Sequence, residues 1–106
     1  MDEDLNEVIR EVRQLLNQKN FHECEKLLAT AMAHYPDDPI PHNLLGLVYE
    51  QQDDHIAAMK HFRAAWALDP SYKPALQNLD NFGTLFANKT FIFDESDYEN
   101  KAKGGH

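Results

Sequence analysis

At 106 residues the chain has room for one domain with one modest core. Hydrophobic residues at 42% and charged residues at 26% belong to a folded chain rather than a disordered one, and a net charge of −8 excludes the basic surface that phosphate recognition needs, so no nucleic-acid partner is expected. Without an apolar run of about 18 residues no helical membrane span or membrane partner is expected, and the acidic start MDEDLNE, lacking a basic n-region, together with the single Cys24 fits a cytoplasmic, unprocessed protein.

In chain order, Leu5, Val8, Ile9, Val12, Leu15 and Leu16 fall on one helical face. Asn17 to Asn20 is short and polar, so it reads as a turn into a second helix carrying Cys24, Leu27, Leu28, Ala31 and Tyr35 on one face. Asp38 is placed to cap a third helix with Pro39 at its first position, and Asp53 or Asp54 to cap a fourth that ends near Leu68, before Asp69-Pro70. A fifth helix is expected from Pro74 to Phe86. Apart from the short TFIF at Thr90 to Phe93 no segment alternates with period two, which makes the fold all-α.

The segment HNLLGLVYEQQDDHIAAMKHFRAAWALDP holds a puzzle, because Gly46 stands inside a helix where glycine costs about 1 kcal/mol relative to alanine. An internal repeat resolves it. A shift of 34 residues pairs Leu28 with Phe62, Ala31 with Ala65, Pro36 with Pro70, Cys24 with Ala58, Leu15 with Tyr49 and Val12 with Gly46. Large meets large, small meets small, and proline meets proline.

Leu45-Gly46, Tyr49, Ala58, Phe62, Ala65 and Pro70 resemble the tetratricopeptide repeat, with His42 where tryptophan is usual. The likeness covers about residues 5 to 86. It implies antiparallel helix-turn-helix repeats stacked as a short right-handed superhelix: units at about 5–38 and 39–72 and a capping helix at about 74–86, together a domain of residues 1–86. A tail over 87–106, partly ordered or disordered, follows. The resemblance also implies that Gly46 lies against Ala58 where two helices cross, and that Phe62, Trp66, Tyr49, Leu76, Leu79 and Phe82 are core.

Chemistry is sparse. Cys24 and His22 are two positions apart and point to different helical faces, so no nucleophile and base meet there. The histidines lack two-ligand spacing on one face, and Glu50, Asp53, Asp54 and His55 read as capping residues at a helix start. No enzyme, metal or cofactor is expected. The resemblance instead implies binding of a peptide or protein in a concave groove lined by the first helix of each unit. The register groups Ile9, Asn43 and Gln77, then Arg13, Leu47 and Asn81, then Asn6, Ile40 and Pro74, then Leu16, Glu50 and Thr84. Of these, Ile9, Arg13, Asn43, Leu47, Glu50, Gln77 and Asn81 are the candidate partner-binding residues. Phe91, Ile92 and Phe93 with the acids that follow are expected either to fold over the last helix, covering Leu85 and Phe86, or to dock on a second copy and build a homo-oligomeric scaffold.

Overall fold

The computed structural model describes residues 4–83 and 90–97. Its helices are α1 (Leu5–Asn17), α2 (Phe21–His34), α3 (Pro39–Gln51), α4 (His55–Leu68) and α5 (Lys73–Gly83). A helical turn over 95–97 follows, no strand forms among the described residues, and none of their helices is long and apolar enough to cross a membrane. The expected end of α5 at Phe86, the coverage of Leu85 and Phe86, and the Thr84 position of the last column lie outside the described residues.

Local chemistry fixes where the helices start. Asp4, Asn20, Asp38 and Asp54 are N-caps whose side chains accept from the backbone N–H groups of Asn6, Glu23, Ile40 and Ala57. These bonds satisfy donors that have no intrahelical partner. The period seen in the residue types recurs in the backbone: α1 and α3 start 34 positions apart and end 34 positions apart, as do α2 and α4, and α5 starts 34 positions after α3. Even the turns repeat. Lys19 and Asp53 both enter the left-handed region, at φ 56° and 63°, and the next residue's N–H bonds back to Leu15 and Tyr49 respectively. A non-glycine residue pays about 1–2 kcal/mol in that conformation, so Lys19→Gly is expected to raise the melting temperature by a few degrees; a lower one would show that Lys19 is not strained.

Consecutive helices pack on each other, and α3 also touches α1 and α5. Helix α3 is therefore central, which explains why it is apolar nearly all round, with Leu44, Leu45, Leu47 and Val48 buried. Val8, Val12 and Leu16 of α1, Cys24 and Leu28 of α2, and Ala58 and Phe62 of α4 complete the core around it.

The close approach expected at Gly46 involves the Phe62 ring: a Cβ at position 46 would overlap three ring carbons, with Cζ only 2.8 Å away. The ring occupies the space that glycine leaves. Trp66 and Leu76, expected in the core, are 44% and 48% exposed and do not belong to it. They sit on α4 and α5, the last helices in the row, where the repeat no longer supplies a following layer among the described residues.

Candidate functional site

Residues 90–97 run as a strap across the face made by α1, α3 and α5, held by Arg13, Asn43, Asn78 and Asn81. Asn43 and Asn78 are fully buried at its centre. Asn78 Nδ2 donates to Asn43 Oδ1 at 2.8 Å and to the Ile92 carbonyl at 2.8 Å, and Asn43 Nδ2 donates to the same carbonyl at 3.0 Å. The Ile92 N–H in turn donates to Asn78 Oδ1 at 3.1 Å. Both main-chain groups of Ile92 are thus satisfied by side chains, and the two amide orientations follow, because reversing Asn78 would set a donor against the Ile92 N–H. Farther along, Asn81 Nδ2 donates to the Thr90 carbonyl at 2.9 Å, and Gln77 Nε2 donates to Asn81 Oδ1 at 2.8 Å, which orients that amide.

The strap's side chains have separate seats. Ile92 is fully buried. Phe91 sets its ring edge-on to Phe82 at 5.4 Å, and Phe82 stacks on Phe62 at 6.0 Å. The Arg13 guanidinium lies 4.5 Å from the centre of the Phe93 ring and pairs with Asp97 at 2.6 Å and Asp94 at 3.3 Å. The two kinds of contact are compatible, because the ring meets the flat side of the guanidinium while the carboxylates accept from its in-plane N–H edge.

The 93–97 stretch also organises itself. Asp97 Oδ2 accepts from the Phe93 and Asp94 N–H groups, and Asp94 Oδ1 accepts from the Ser96 N–H, the Ser96 hydroxyl and the Asp97 N–H. Burial pushes the Asp94 carboxyl upward, but the Ser96 hydroxyl, the Asp97 N–H and the Arg13 charge more than offset it and hold its pKa below the usual value.

Beside the strap is a cleft of about 240 Å³ lined by Asn6, Ile9, Ile40, Tyr72, Asp94, Glu95 and Ser96. The Tyr72 hydroxyl is buried without a hydrogen-bond partner among the described residues, and burial followed by the surrounding carboxylates of Asp94, Asp38, Glu95 and Asp97 drives its pKa up. Leaving a polar group unpaired costs about 1–3 kcal/mol. Tyr72→Phe should therefore melt at the same temperature as the parent or higher, and a drop of several degrees would mean that the hydroxyl has a partner after all.

A second group of titratable side chains lies between α3 and α4. His42 Nδ1 and His61 Nδ1 are 3.1 Å apart, so one carries a proton and the other does not, and the His61 ring stacks between His42 at 5.3 Å and Tyr49 at 5.4 Å. Burial lowers the pKa of both, with His42 and Lys60 adding to the effect on His61. Unfolded histidine near pH 6.5 then binds protons that the folded pair refuses, so stability falls as pH drops below about 6.5 and levels off below the lowered values. Melting between pH 7.5 and 5.5 checks this, with His61→Phe expected to show a shallower slope; an identical slope would take the pair out of the acid response.

Cys24 is fully buried, and burial followed by Glu25 pushes its pKa up to about 11, which keeps the thiol protonated at neutral pH. His55 Nδ1 is 3.1 Å from a Glu50 carboxylate oxygen. Among the described residues no three His, Cys, Asp or Glu side chains gather as metal ligands.

A scan against protein-family models, a search of the curated proteins and a search of the solved structures found no match for this chain. The geometry therefore stands by itself. Of the residues singled out in the sequence, Arg13, Asn43 and Asn81 meet on the strap, and Gln77 supports Asn81. Ile9 is buried at the edge of the adjoining cleft. Leu47 is fully buried in the core and offers no groove surface, while Glu50 turns to His55 instead. Asn43 is fully buried, since the strap covers it. Sequence reasoning passed over Asn78, and it named Ile92 only as part of the tail's apolar segment, without a partner. Asn78 lies 35 positions after Asn43, one step off the register, so the column that held Asn43 pointed to Gln77 instead.

Proposed function

We propose that the chain is a protein-interaction module of the tetratricopeptide type, two helical hairpins and a capping helix stacked as a right-handed superhelix, that holds an extended peptide in the concave groove of α1, α3 and α5. The grip of Asn43 and Asn78 on both main-chain groups of Ile92 carries this reading. Side-chain amides that bind an extended main chain recognise a peptide whatever its side chains, and the neighbouring seats then choose among sequences. The recurrence of helix ends and turns at 34 residues supports the repeat assignment. The reading calls for no catalytic group or cofactor.

An unbiased test pans a displayed peptide library against the full chain and follows the side-chain amide resonances of Asn43, Asn78 and Asn81 as enriched peptides are added. Peptides that shift those resonances support the groove as receptor. Enriched peptides that leave them unmoved would place binding elsewhere, and a library with no enriched members on either the parent or Asp94→Ala/Asp97→Ala, in which the strap's pairs with Arg13 are lost, would remove the reading.

A further inference from the structure

The occupant of the groove is this chain's own strap, and its contacts with the helices are of a particular kind. Asn43, Asn78 and Asn81 address main-chain atoms of Thr90 and Ile92, which every polypeptide has. Selection among sequences falls to the buried Ile92 seat, the Phe82 edge under Phe91, and Arg13 with its Phe93, Asp94 and Asp97 contacts. The turn that places both carboxylates on Arg13 is held by hydrogen bonds within 93–97 itself, so a segment of this sequence carries its bound shape with it.

We propose, building on the peptide-receptor reading, that the strap is a replaceable plug. The ligand is an extended segment of another protein with the same pattern: aromatic, aliphatic, aromatic, then aspartates one and four positions on. The plug regulates access to the groove. A tethered segment acts at an effective concentration on the order of millimolar, so a free ligand of equal intrinsic affinity competes poorly until the strap is weakened. The Arg13 pairs are the point of leverage, because their side chains are 23–36% exposed while Ile92 is fully covered. Losing them raises the fraction of open groove, and apparent affinity rises by the same factor.

The test uses the full chain and a fluorescent synthetic peptide with the sequence of residues 88–99. The parent should bind it weakly. Asp94→Ala/Asp97→Ala, which leaves Arg13 and the three asparagines in place, should bind it at least about tenfold more tightly, by the increase in open groove. A peptide with both aspartates replaced by serine should lose most of that gain, and Arg13→Ala added to the opened chain should make the two peptides equivalent. If the opened chain, still helical by circular dichroism, binds neither peptide, the peptide-receptor reading fails together with the plug. If it binds both equally, the receptor stands and the acidic-aromatic specificity is overturned. If the parent already binds as tightly as the opened chain, the strap is no plug. Light scattering at two concentrations adds one more outcome: a dimer that appears only when the strap is intact would make a second copy the donor of the segment and overturn the foreign ligand.

Discussion

Gly46→Leu is expected to lower the stability of the domain by about 3 kcal/mol or more, and Gly46→Ala by about 1–2 kcal/mol. The alanine result is the more telling. Alanine in place of a helical glycine returns about 1 kcal/mol of helix propensity, so a net loss requires that the added methyl meet something that cannot yield. That obstacle is the Phe62 ring, fully buried and stacked on Phe82, which in turn meets Phe91 of the strap. Retreat of the ring would disturb α5 and the strap together. Urea denaturation of the two variants and of Gly46→Ala/Phe62→Leu checks the argument, since a smaller side chain at 62 should recover part of the loss and make the pair non-additive. A Gly46→Ala protein as stable as its parent would mean that the ring moves freely.

The same position shows how far the sequence could be read. Helix ends were legible because they depend on near neighbours: Asp38 before Pro39 and Asp54 before an apolar face bring their caps with them, and the period of 34 copies one solution onto the next. That Gly46 needed a close approach was legible too. Which side chain made the approach was not, because Ala58 and Phe62 lie one turn apart on the same face of α4 and the choice depends on how α3 and α4 cross. Asn43 was singled out as a polar residue in a groove column, but its burial depends on Ile92, 49 positions away. Trp66 and Leu76 read as core from their apolar type alone, which does not tell whether a neighbouring layer covers them.

Asn78→Ala is expected to cost about 2–3 kcal/mol. It removes two donated bonds and one accepted bond, leaving Asn43 Oδ1 and the Ile92 N–H without partners, each costing about 1–3 kcal/mol while buried. The loss has a ceiling, because the strap can lift away and let water satisfy those groups. Two measurements are therefore needed. Denaturant unfolding reports the total, and hydrogen exchange at the Ile92 amide reports whether the strap has left. Faster exchange at Ile92 with α1 to α4 still protected is the expected pattern. Unchanged protection at Ile92 would show that the asparagine cluster does not hold the strap.

The pairing of Arg13 with Asp97 spans 84 positions, whereas the helical units are built from neighbours along the chain. Contacts between neighbours form early, and those that close long loops form late. During synthesis α1 to α4 can collapse on one another as they emerge, but the fully buried Asn43 must wait for Ile92, one of the last described residues to leave the ribosome. Until then the side chain of Asn43 has water for a partner. The order of synthesis thus makes docking of the strap a late step, taken on a scaffold of helices already in place.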